Sequence, residues 1–252
     1  QTGKKWDKRT IFQIYNDLKK TNKDAVIDIG KEFFMIEDTS VFALSALENS
    51  LTVYCNENGY YSTYISDRFG FNNPDEQWEN KEVEYLLVGD SFAHGLCVNR
   101  PHDIASVLRK ISNKAVLNLG YRGNGPLAEY ASLREYLNPN VKNVLWIYYE
   151  GNDLIDLDSE VNNKILYSYV DDINFSQNLK FKTKILNEKK KITHRYIENI
   201  SKNKIRNFIK LYKLRLFLKQ KIYINKYNSN SVSNLSPNLR LKEFKKMLTL
   251  AR

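Results

Sequence analysis

The sequence predicts an α/β fold, a parallel sheet with helices packed on both faces. Three strand-length apolar runs, 83–89 (V-E-Y-L-L-V-G), 115–119 (A-V-L-N-L) and 141–149 (V-K-N-V-L-W-I-Y-Y), are separated by two stretches with helical apolar spacing. The runs are continuous in apolar character rather than alternating, as expected of strands covered on both faces. Right-handed crossovers in such a β-α-β-α-β unit place all three strand C-termini on one edge of the sheet.

In chain order, 10–20 reads as a short helix, with Ile11, Ile14, Tyr15 and Leu18 in apolar spacing and Thr10 as its N-cap. Residues 24–82 are polar and irregular. Asn58-Gly59, Phe69-Gly70-Phe71 and Asn73-Pro74 are turn signals, so the stretch reads as loops with short strands leading into the core. The strand 83–89 ends at a glycine. Helix 103–111 follows, with Ile104, Val107, Leu108 and Ile111 in register and Asp103 near its start. After strand 115–119, Pro126 opens a helix running to Leu137, since its missing N–H costs nothing in the first turn. The stretch 180–226 mixes Ile197, Ile200, Phe208, Leu211 and Leu216 with Lys and Arg. It reads as helical, with its apolar residues spread widely round the wheel. The expected organisation is 1–82 as an N-terminal helix and lead-in, 83–158 as the α/β core, and 159–252 as a helical basic insert or lid.

Composition narrows the classes. The chain has 252 residues, 42% hydrophobic and 27% charged, with a formal charge of +10. That is ample for a buried core and unlike a disordered chain. No apolar run approaches a membrane span of roughly 18 residues. Two cysteines exclude a Cys-rich zinc cluster or a disulfide scaffold. The charge is uneven: residues 1–179 hold 18 Lys+Arg against 26 Asp+Glu, whereas 180–226 hold 16 against 2. An acidic body therefore carries a basic appendage. The 28 Lys, 29 Asn and 17 Tyr also resemble an A/T-rich coding bias, which enriches any solvated face in lysine. Gln1 in place of Met, and an amphipathic run with no stop signal before Arg252, read as a fragment open at both ends.

Three strand ends converge on one crevice: Gly89-Asp90-Ser91, the turn from Asn118 to Gly125, and Glu150-Gly151-Asn152-Asp153. Together they suit acyl transfer. A serine on a strand-to-helix turn is exposed, and the helix N-terminus favours developing negative charge. The backbone N–H groups of Ser91 and Gly123, with the side-chain amide of Asn152, can supply three donors to an oxyanion. The order G-x-x-G-x-G at 120–125 is not the dinucleotide fingerprint, and Ser91 is not in a G-x-S-x-G elbow. Asp90 and Asp153 read as turn holders rather than metal ligands. No metal or cofactor is expected.

V-G-D-S around Ser91, the N-x-G-x-x-G turn ending at Gly123, and E-G-N-D around Asn152 resemble the first three blocks of the SGNH (GDSL-type) esterase and acyltransferase superfamily. The wider run 60–158, with D-R-F-G-F-N-N-P-D at 67–75, is similar to an SGNH hydrolase-like group of bacterial proteins. The resemblance implies Ser91 as nucleophile, with Gly123 and Asn152 completing the oxyanion hole. It also implies a flavodoxin-like three-layer α/β/α sandwich, an O-acyl ester substrate such as an O-acetylated carbohydrate, and an extracytoplasmic or membrane-anchored location. The superfamily's general base is a histidine in a later D-x-x-H block, and no such block is present. His94, three residues after Ser91, is expected to line the crevice. His102 and His194 are expected to be solvated. The expected source of the base is sequence beyond Arg252; the alternative is a non-catalytic relative that binds a glycan or a partner protein. An acyltransferase would use the same site.

Cys55 and Cys97 pair as a disulfide if the protein is exported, and otherwise remain buried thiols. Both readings stand at this stage. The basic stretch 180–226 reads as a lid packed on the core, or as a contact for a membrane surface or anionic polymer. Nucleic acid is not expected, because few aromatics form a base-stacking platform.

Overall fold

The computed structural model describes residues 6–29, 41–202 and 236–251. It is a mixed α/β structure with two three-stranded sheets. The first helix, α1 (Ile11–Thr21), begins at Thr10, whose hydroxyl accepts from the Gln13 N–H while the Gln13 side chain returns to the Thr10 N–H. This reciprocal cap satisfies two of the donors that a helix start leaves unpaired.

The stretch expected to be a lead-in builds a sheet of its own. Strands β1 (Val26–Ile27), β2 (Leu51–Val53) and β3 (Thr63–Ile65) pair in that order, β1–β2 parallel and β2–β3 antiparallel. Ile14 and Tyr15 of α1 pack on Val53 beneath it.

The larger sheet is the predicted one. Strands β4 (Val83–Gly89), β5 (Val116–Asn118) and β6 (Val141–Ile147) lie in the order β5-β4-β6, all parallel, with Leu87 opposite both Asn118 and Leu145. Successive side chains of β4 point to opposite faces. Leu86 and Val88 join Leu117, Leu119 and the apolar side of α4 (Pro126–Tyr136). Leu87 instead meets Val116 and Ala105, the latter on α3 (Ile104–Ser112). Burying each such leucine contributes about 1.5–3 kcal/mol. The parallel sheet and its flanking helices make this an α/β arrangement. Strand β6 departs from expectation: Val144 and Leu145 are 40% and 37% exposed, because among the described residues nothing pairs with its outer edge.

Helices α5 (Asp153–Glu160) and α6 (Lys164–Asp171) pack on α4, and α8 (Pro237–Leu250) adds Met247 to the same core. That core also takes Phe42, Ala43 and Leu44, so it runs across the expected organisational boundaries. The basic stretch is helical where it is described, in α7 (Thr183–Lys202); its remainder beyond 202 lies outside the described residues. The α7 face is not wholly solvated. Lys190 is buried, and its ammonium donates to the Ala46 carbonyl at 2.5 Å; burial pushes it down to about 7. No described helix is long and apolar enough to cross a membrane.

Candidate active site

The nucleophile candidate opens a one-turn helix, α2 (Ser91–His94), directly after β4. Asp90 caps it: one carboxylate oxygen accepts the Phe92 N–H at 2.8 Å, and the other accepts the Ser91 hydroxyl at 3.3 Å. Asp90 is thus the turn holder its position suggests. Gly123 lies in the turn between β5 and α4 with φ of +72°, a left-handed conformation that other residues adopt only with strain. Asn152 is the N-cap residue of α5, beyond β6. The three parallel strands therefore deliver Ser91, Gly123 and Asn152 to the same edge of one sheet. Among the described residues, neither the Ser91 nor the Gly123 N–H donates to a protein acceptor.

The Asn152 amide gives one N–H to Asp156 Oδ2 at 2.9 Å, leaving its second donor for another acceptor, while its oxygen is buried without a partner among the described residues. Asp153 receives the Tyr149 N–H at 2.6 Å and so holds this turn as Asp90 holds the other. Burial raises the Asp153 carboxyl to about 6, with Asp90, Asp156 and Glu160 adding to the effect. Beneath lies Glu129, fully buried and bonded to Trp146 Nε1 at 2.6 Å. Desolvation and then the Asp153 charge push it well above the usual carboxylate range. No group of three side chains suited to a metal ion occurs among the described residues.

His94 does not line the crevice. It is fully buried among Tyr54, Tyr64 and Tyr121, with ring centroids 4.8, 5.4 and 5.2 Å away. Its Nδ1 accepts the Arg122 N–H at 3.2 Å, and the Tyr54 hydroxyl lies against its Nε2. Because Nδ1 accepts this N–H, the proton of the neutral ring sits on Nε2. Desolvation first, and then Arg122, lower the ring to about 3. The expectation failed because α2 has a single turn, too short for a helical face to persist. What His94 does is hold the backbone at Arg122, next to Gly123. His102 is exposed, as expected. His194 is not the solvated residue expected: burial on α7, and then Lys190 and Lys19, lower it to about 4.

The small sheet is part of this scaffold. Arg122 pairs with buried Asp28 at 2.7 Å, and the Tyr121 hydroxyl donates to the Ile29 carbonyl at 2.6 Å. Cys55 and Cys97 form a disulfide, tying the segment after β2 to the segment after α2. Sequence reasoning also missed Glu160. Its carboxylate accepts the N–H groups of Gly125, Leu127 and Ala128, capping α4 where Gly125 has no side chain to do so. A cap supplied from over thirty residues away leaves no local signature. A cavity of about 920 Å³ opens elsewhere, lined by Ile65, Asn73, Arg100, Pro101, Arg109 and Lys110 among others, and takes in none of the three strand-end residues.

Compared with known protein families, curated proteins and solved structures, the chain matches none.

Proposed function

We propose that this chain carries the acyl-transfer centre of a serine esterase of the SGNH type, on a flavodoxin-like three-layer sandwich, acting on O-acyl esters. The observation that supports this reading is the convergence of Ser91, Gly123 and Asn152 on one sheet edge, with the Ser91 and Gly123 N–H groups uncommitted. In the proposed reaction Ser91 Oγ attacks the ester carbonyl and its proton passes to a base. The resulting oxyanion accepts from the Ser91 and Gly123 N–H groups and from Asn152. Collapse expels the alcohol and leaves an acyl-serine. Water then releases the acid; a second alcohol in its place would make the protein an acyltransferase. The Cys55–Cys97 disulfide favours an extracytoplasmic setting, since such bonds persist in oxidising compartments. Contact of 180–226 with a membrane surface or anionic polymer belongs to the proposal on its charge alone.

A second reading, a non-catalytic binding module, is favoured by one observation: among the described residues no histidine bonds to Ser91, and His94 is committed elsewhere. Residues 1–252 alone are expected to be nearly inactive without the base, so fluorophosphonate labelling and p-nitrophenyl acetate turnover decide between the two when measured on the full-length protein. The esterase reading expects Ser91→Ala to abolish both, and Asn152→Ala to lower turnover about 10²–10³-fold. Absence of Ser91-dependent labelling would establish the module.

A further inference from the structure

We propose that the cavity of about 920 Å³ between Ile65 of β3 and Arg109 of α3 binds a phosphate monoester with an apolar body, its phosphate held by Arg100, Arg109 and Lys110. The cavity takes in none of Ser91, Gly123 and Asn152, so the proposal stands independently of the acyl-transfer reading.

Charge is the first argument. Residues 1–179 hold more acidic than basic side chains, yet this lining brings three cations together with one carboxylate, Asp75. That carboxylate is already taken. Arg68 grips it through Nε to Oδ1 at 3.0 Å and Nη2 to Oδ2 at 2.6 Å. Among the described residues none of Arg100, Arg109 and Lys110 forms an ion pair.

The two guanidiniums are also fixed in place and half-buried. Arg100 Nη2 donates to the Ile65 carbonyl at 2.8 Å. Arg109 Nη2 donates to the Val116 carbonyl and to Asn73 Oδ1, both at 2.7 Å. These acceptors are neutral, so the bonds position the forks without offsetting their charge. Burial lowers Arg100 from its ordinary value and takes Arg109 down to about 10, where the Arg100 charge adds to the effect. Asp103, Glu76 and Asp67 act in the opposite direction on both, without pairing with either. Both guanidiniums stay charged at neutral pH. Like charges held in a partly desolvated wall disfavour one another, and an anion in the cavity offsets both.

The cavity's chemistry selects the anion. A guanidinium fork matches the oxygens of a phosphate or a carboxylate, but three cations favour a phosphate dianion over a single negative charge. A bare phosphate would fill little of this volume. Ile65, Pro74 and Pro101 supply an apolar wall for a body attached to it, the usual combination of apolar lining and a few placed polar groups.

The test titrates the full-length protein calorimetrically with phenyl phosphate, inorganic phosphate and benzoate. Phenyl phosphate is expected to bind at least about 10-fold tighter than either of the others. Arg100→Gln should weaken it by about 10-fold or more, and so should Lys110→Glu, whose exposed position leaves folding undisturbed. Asn152→Asp places a negative charge in the strand-end crevice and should leave the affinity for phenyl phosphate unchanged. Absence of saturable binding, wild-type affinity in Lys110→Glu, or benzoate or inorganic phosphate binding as tightly as phenyl phosphate would each overturn the proposal. So would a loss of binding in Asn152→Asp, which would move the anion to the crevice.

Discussion

Strands β5 and β6 flank β4 and carry opposite halves of the candidate site, yet the protein finishes their outer edges in different ways. Every residue of β5 is buried, and side chains occupy its edge. Asn73 accepts the Asn118 N–H and donates to the Asn118 carbonyl, both at 2.9 Å; Gln77 takes the Val116 N–H, and Arg109 caps the Val116 carbonyl. On β6 the exposed Asn143 merely reaches back to the Glu84 carbonyl. An unpaired edge is a template for a further strand unless something occupies it. The Gly123 half therefore inherits order from a sealed strand, the small sheet and a disulfide. The Asn152 half relies on bonds within its own turn to Asp153 and Asp156. The two donors proposed for one oxyanion are thus supported to different degrees.

The difference can be probed first through pH. On the sealed side, His94 is lowered from 6.5 to about 3 by burial. Between those values the unfolded chain binds the extra proton, so stability falls as pH falls, by up to about 5 kcal/mol over the whole window. On the open side, Asp153 is raised from 3.8 to about 6, so its contribution falls as pH rises through that range. Urea unfolding between pH 3 and 8 should show a shallower acid slope in His94→Gln than in the wild type. Equal slopes would mean that His94 is not buried neutral.

Next in size is the disulfide, which closes a loop with a sequence separation of 42. Its reduction should cost about 4 kcal/mol by loop entropy, and should loosen the Arg122 and Gly123 amides in hydrogen exchange more than those of Asn152 and Asp153. Equal loosening of both turns would contradict the division into a sealed and an open half. A smaller effect separates the edges directly. Asn73→Ala strands buried groups on Asn118 and Arg109 and should cost about 3 kcal/mol in chemical denaturation. Asn143→Ala, on the exposed strand, should stay within about 0.5 kcal/mol. Similar costs for the two would erase the distinction.

Much of the larger sheet was legible because its signals are local. Strand β4 has the bounds expected, α3 and α4 lie within a residue or two of theirs, and the strand-end turns advertise themselves with glycines. Short strands in 24–82 were expected, but their bounds and their pairing into a separate sheet were not legible, since β1, β2 and β3 have two or three residues each, too few to display a period of two. The exposure of β6 was hidden because its apolar run is the same whether or not a neighbour pairs with it. The placement of His94 and Lys190 depended on partners far away in sequence, Tyr54 and Ala46, which no spacing rule reaches.

Helix α5 has a mechanical consequence. Its N-cap is Asn152, and its last residue, Glu160, grips the Gly125 N–H two residues past Gly123. At about 1.5 Å of rise per residue it is a strut roughly 12 Å long, bolted at one end to the amide donor and at the other to the loop bearing the backbone donor. The looser half of the crevice is thereby braced against the firmer one.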